Sequence, residues 1–229
     1  SASNLQQRTS RNFIGSSLES DPYNVKVIVD IQNSTTSSNY DYDINLLVGG
    51  SAAGNIIGNI TEEIKNGSVG RVLGGSIGDS SVRPSGWNYP INTFIGTTTI
   101  NITGGTVTEL YGGCLGRNMT AIGNGTNGTG NVCDSYFYGD ININISGGVV
   151  VDNIYGAGAG GVTGYHVNST DDYKETYGKG IDTNVNINIT GGDIQSNIYG
   201  GGYGYTEYLT RNVIAEDGGS LYGDSNIVI

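Results

Sequence analysis

Apolar and polar residues alternate with a period of two in several short stretches of this chain, and the stretches repeat. TTINITGG (98–105), ININISGG (141–148) and VNINITGG (185–192) share one pattern, and ITEEIKNG (60–67) is a degenerate copy of it. Each leads into a second apolar run: SVGRVLGG (68–75), TVTELYGG (106–113), VVVDNIYGAG (149–158) and DIQSNIYGGG (193–202). A two-residue period predicts strands, with alternate side chains on opposite faces. VKVIVDI (25–31) and INLLVGG (44–50) fit the same template. The apolar residues are rich in Ile and Val, which favours strands over helices.

The repeat interval decides the architecture. The first residue of the closing Tyr-Gly-Gly element falls at Val48, Leu73, Tyr111, Tyr155 and Tyr199, giving steps of 25, 38, 44 and 44. A step of about 25 residues matches one turn of a parallel β-helix, each rung resting about 4.8 Å above the last. The longer steps are the same rung carrying insertions, at 114–140, 157–184 and 203–221, all expected to leave after the glycines and to gather on one side. A β-propeller, with blades of about 40–45 residues, conflicts with the shortest step. The predicted fold is therefore all-β: a right-handed single-stranded parallel β-helix of about five rungs. It occupies residues 25–229, with residues 1–24 as an irregular N-terminal cap.

The strand period assigns each position. Ile100/Ile143/Ile187 and Ile102/Ile145/Ile189 are predicted to stack as apolar ladders inside. Asn101/Asn144/Asn188 and Thr103/Ser146/Thr190 are predicted to stack outside. The paired glycines make the bends, and Tyr111, Tyr155 and Tyr199 are expected to face outward into solvent. The Ile-x-Ile-x-Gly-Gly…Ile-Tyr-Gly-Gly rung resembles the repeats of right-handed parallel β-helix proteins of the pectate-lyase-like superfamily. It is most similar to the Gly- and Asn-rich segments of large secreted or cell-wall-attached bacterial surface proteins. The resemblance covers about residues 25–229 and implies an extracellular location. It does not imply one activity, because lyases, hydrolases and adhesins share this fold.

Composition narrows the partners. A net charge of −11 with ten Lys plus Arg in 229 residues leaves no basic stripe for nucleic acid or anionic lipid. No apolar run is long enough to insert into a membrane as a helix. The chain lacks an initiator Met and stops inside SNIVI, so a piece of a larger multidomain protein is expected. Cys114 and Cys133 flank one Gly/Asn-rich segment; a disulfide and two free thiols both fit that spacing.

Little in the sequence points to catalysis. His166 is the only histidine, which excludes HExxH-type zinc centres. GGSIG (74–78) and GAGAGG (156–161) match nucleophile-elbow and nucleotide-loop patterns only because glycine is abundant. The carboxylates Asp134, Asp140, Asp171, Asp172, Glu175 and Asp182 cluster in or beside the insertions, with Arg117, Lys174 and Lys179 near them. Such charge is ordinarily solvated. Asp171, Asp172 and Glu175 are the candidate ligands for a loop calcium, the one cofactor the sequence suggests. Aromatic residues are the stronger signal. Trp87, Tyr138, Tyr165, Tyr173, Tyr203 and Tyr205 lie in or next to insertions, beside the Tyr111–Tyr155–Tyr199 line. Tyrosine offers a large face and a hydroxyl at low entropic cost, which suits sugar rings or a protein partner. The sequence thus predicts a non-catalytic module recognising a glycan or a host or cell-surface protein. A carbohydrate-active lyase or glycosidase using the loop carboxylates is the alternative.

Overall fold

A computed structural model describes residues 13–14, 23–32, 42–51, 55–77, 92–116, 135–160, 162–164, 183–204, 219 and 221–229. These residues contain sixteen strands and no helix, and every pairing between strands is parallel. The strands stack in three columns, which the chain visits in turn.

The first column holds β1 (Phe13–Ile14), the start of β4 (Asn55–Asn66), β6 (Asn92–Ile95), β9 (Ser135–Tyr138), β12 (Val162–Gly164) and β15 (Leu221–Tyr222). The second holds β2 (Tyr23–Asp30), the rest of β4, β7 (Thr98–Ile102), β10 (Ile141–Val150), β13 (Asn184–Ile194) and β16 (Asp224–Val228). The third holds β3 (Ile44–Val48), β5 (Ser68–Leu73), β8 (Thr106–Tyr111), the end of β10 with β11 (Ile154–Tyr155), and β14 (Ile198–Tyr199). The result is an all-β, solenoid-like coil. It is six layers deep in the first and second columns and five in the third, where the repeats predict about five rungs.

One apolar core runs through the coil and draws on all three columns: Phe94 and Phe137 from the first, Ile100, Ile143 and Ile187 from the second, and Val72, Leu110 and Ile154 from the third. The predicted ladders are present in register, Ile100↔Ile143↔Ile187 and Ile102↔Ile145↔Ile189. Parallel in-register pairing places like on like, and isoleucine tolerates this because its branched surface packs against itself. Each such side chain fully removed from water contributes about 1.5–3 kcal/mol. On the other side of the same strands, Asn144 Nδ2 donates to Asn101 Oδ1 at 3.0 Å and Asn186 Nδ2 to Asn142 Oδ1 at 3.1 Å. Asparagine side chains thus bridge adjacent rungs at both positions.

The bend between the second and third columns falls on the second glycine of each predicted pair. Gly148, with φ +80°, sits where an added Cβ would lie 2.8 Å from the backbone of Gly104 and Gly105 in the rung below. Left-handed backbone and a bare neighbour together exclude other residues there.

One expectation is corrected. The insertions do not all leave at the same point. Residues 78–91, 117–134 and 205–218 separate the segment after the glycines from the first column, but residues 165–182 follow β12 and precede the second column. Val162–Gly164 pairs directly with β9, so the first-column strand of that rung is completed before its insertion begins. These four stretches therefore interrupt the rung at two different points in its sequence.

Truncating one interior ladder residue should cost far more than truncating its outer neighbour. Ile143→Ala is expected to lose about 2–5 kcal/mol through lost burial and a cavity. Asn144→Ala is expected to lose about 1 kcal/mol or less. Urea unfolding midpoints of the two variants measure the contrast, and equal losses would contradict the interior assignment of Ile143.

Candidate functional site

The third column carries the most distinctive outer surface. Val72, Leu110 and Ile154 turn into the core, so the residues next to them, and those two positions further back, turn out. Two parallel outer lines result. Leu73, Tyr111, Tyr155 and Tyr199 form one, in register. Arg71, Glu109, Asn153 and Asn197 form the other.

The tyrosines stack face to face at the rung spacing. Ring centroids of Tyr111 and Tyr155 lie 5.0 Å apart with planes 4° from parallel, and those of Tyr155 and Tyr199 lie 4.9 Å apart at 9°. Tyr203 leans on Tyr155 with centroids 5.3 Å apart and planes at 42°. These rings do not all reach solvent, contrary to the expectation for the line. Tyr111 is 3% exposed and Tyr155 8%. The segment after the glycines runs back over them, so Leu73, Ile77, Tyr111, Tyr155 and Ala159 form a second apolar cluster, with Val48 and Leu115 packed against it. Bridges Ile77↔Leu115 and Ala159↔Tyr203 hold that covering segment in register. A ring buries too much apolar surface to stay open where a neighbouring strand can cover it. Only the last ring of the line, Tyr199 at 44%, and Tyr203 at 37% are open.

The polar line beside the rings is internally paired. Arg71 Nε and Nη2 both donate to Glu109 Oε2 at 2.7 Å. The guanidinium also lies 5.8 Å from the centre of the Tyr111 ring, within cation–π reach. Further along, Asn197 Nδ2 donates to Asn153 Oδ1 at 3.1 Å, and Ser196 Oγ donates to the same oxygen at 3.0 Å. Burial, and secondarily the Glu109 charge, push the Tyr111 hydroxyl well above the usual tyrosine range. Burial, and then neighbouring Tyr199, also raises the Tyr155 hydroxyl.

Other predicted site residues separate into two groups. Tyr138 is buried beside Tyr136, ring centroids 6.2 Å apart, and offers no open face. It closes β9 on the face opposite the core residue Phe137, the face it shares with Tyr136, and it is covered there rather than open. Trp87, Tyr165, Tyr173 and Tyr205, the calcium candidates Asp171, Asp172 and Glu175, and Cys133 lie outside the described residues. Among the described residues, no three metal-ligating side chains come together. Asp140, named with the loop carboxylates, accepts from the Asn184 side-chain amide at 2.9 Å and helps shape a corner. Cys114 is a free, buried thiol. Its sulfur accepts from the Ser76 N–H at 3.2 Å and donates to the Tyr136 carbonyl at 3.6 Å.

Sequence reasoning passed over two features. The Arg71–Glu109–Asn153–Asn197 line was readable as the polar residue two places before each Leu or Tyr of the closing element. Glu62 is the other. Aligning ITEEIKNG with TTINITGG on their last glycine places Glu62 on the Ile100 position, and the register agrees, Glu62↔Ile100. It is a fully buried carboxyl, and neither of its oxygens has a hydrogen-bond partner.

Burial pushes the Cys114 thiol up to about 11, so it should resist alkylation. With iodoacetamide at pH 8, peptide mapping is expected to show Cys114 unmodified in the folded protein and modified after denaturation. Rapid labelling of the folded chain would contradict its burial. No family model matches this chain, and no curated protein or solved structure matches it.

Proposed function

We propose that the chain is a non-catalytic glycan-recognition module of a secreted or cell-surface bacterial protein, built as a right-handed parallel β-helix of the pectate-lyase-like kind. The observation that carries this reading is the open end of the tyrosine stack. Tyr199 is exposed beside the line that holds Asn153, Ser196 and Asn197, and Tyr203 is exposed where it leans on Tyr155. A sugar ring offers an apolar C–H face to an aromatic ring and a rim of hydroxyls to amides, and this surface supplies both. The buried part of the stack supports it: Tyr155 is held between Tyr111 and Tyr199, so Tyr199 rests on a rigid base. A pre-positioned ring loses little entropy on binding.

Charge favours a class of ligand. At a net −11, a neutral or cationic glycan suits this chain better than a polyanion, which would require bridging cations. Adhesion to a cell-surface glycoprotein would use the same contacts.

A glycan array with the full chain, read alongside release of reducing sugars from polysaccharides, tests the proposal. Binding without turnover is expected. Tyr199→Ala is expected to weaken binding tenfold or more, as truncation of a central aromatic contact commonly does, while lowering stability by only about 1 kcal/mol through the lost stacking and leaving the chain folded. Turnover of any polymer, or glycan binding indifferent to Tyr199 and Tyr203, would overturn the reading.

A further inference from the structure

Glu62 stands in an interior column otherwise made of hydrocarbon. Val27 lies on one side of it in the stack and Ile100 on the other. Ile60 and Ile64 flank it along its own strand, both buried. Its carboxyl carbon reaches toward the corner of the third column: a Cβ added to Gly49 would lie 3.2 Å from it and 3.0 Å from the Gly74 carbonyl oxygen. The absence of a side chain at Gly49 is what leaves room for the carboxyl.

No charge answers it among the described residues. Lys26 and Lys65 both pair with Glu63, which points to the opposite side of the strand, at 2.6 and 3.4 Å. On β5 the inward residues are Val69 and Val72, and Arg71 is turned out to Glu109. From the segment leading into β3, the Asp43 carboxylate accepts from the Ser68 N–H at 2.8 Å, and on β3 itself Leu47 faces the core. On β7 the inward neighbours are Thr98, whose hydroxyl donates to Gly74 O at 2.7 Å, and Ile100.

We propose that Glu62 is a proton-linked element of the N-terminal rungs: the coil accommodates it only as the neutral acid, and is therefore tightest in acidic solution and loosens as the medium turns alkaline. A carboxylate cannot be buried in hydrocarbon without a partner, whereas the protonated group leaves only an uncharged hydroxyl and carbonyl without hydrogen bonds, a far smaller cost.

The direction follows from linkage. Burial lifts the Glu62 carboxyl from 4.5, its ordinary value and that of the unfolded chain, to about 8 in the folded one. Between these values the folded protein holds a proton that the unfolded chain has released. The stabilisation is complete below the lower value, declines across the interval and is gone above the upper one. The unfolding constant should rise about tenfold per pH unit across the interval. Other perturbed groups act elsewhere. Asp30 and Glu63 are held below their ordinary values of 3.8 and 4.5, while Cys114 and Tyr111 start from 9.0 and 10.0 and are raised.

Urea unfolding of the full chain and of Glu62→Gln, measured from pH 4.5 to 8.5, tests this. The wild-type unfolding constant is expected to rise relative to that of the variant by a factor on the order of a thousand across the range. Parallel pH profiles would overturn the proposal. Should the variant fail to fold, carbon-13 NMR of labelled glutamate carboxyls in the wild-type protein decides it. A Glu62 midpoint near 8 supports the proposal, and one near 4.5 overturns it.

Discussion

Parallel stacking in register is the constraint from which the rest of this structure follows. Within the strands most residues lie directly over their counterparts, one strand spacing of about 4.8 Å away, so each column must be built from residues that tolerate contact with themselves; a register shift after Ile145 sets Ser146 over Gly191 instead of the expected Thr190. Isoleucine meets isoleucine inside, where the contact is apolar and branched shapes interlock. Asparagine meets asparagine outside, because a side-chain amide donates on one side and accepts on the other. Tyrosine meets tyrosine in parallel stacks, and glycine meets glycine at the bends. Low charge and high glycine are direct consequences. A column of like charges a strand spacing apart would repel along its whole length.

The charged residues that do occur show the same constraint by their placement. Glu63 is answered by Lys26 from the rung below and by Lys65 from its own strand. Arg71 is stacked on Glu109 in the adjacent rung, so unlike charges meet where like ones could not. Both arrangements lie in the first half of the chain, where the repeat is least regular. The later rungs replace them with amides, as at Asn153 and Asn197. Glu62 is the single described position where a charge-bearing residue enters the interior column, and it has no counterpart to answer it.

Much of this was readable from residue order. The interior ladders, the outer asparagine ladders and the bends at Gly105, Gly148 and Gly192 follow from a period of two and a repeated phrase, and each occupies the position so assigned. Glu62 was equally readable, because alignment on Gly67 and Gly105 puts it on an isoleucine position. It was passed over because two adjacent glutamates look like a solvated pair until the register separates them, one in and one out.

Local pattern determined which side of each strand faces the core, since side-chain alternation is a property of the extended backbone itself. It could not determine what covers the other side. Tyr111, Tyr155 and Tyr199 occupy equivalent places in nearly identical phrases, yet two are buried and one is open. That difference depends on the path of the segment after the glycines and on whether another layer lies above. Both are long-range facts. The point at which residues 165–182 interrupt the rung was decided in the same way, by the pairing of Val162–Gly164 with a strand in the rung before it. The sequence by itself determined the rung; only the stacked rungs decided which part of the tyrosine line meets solvent.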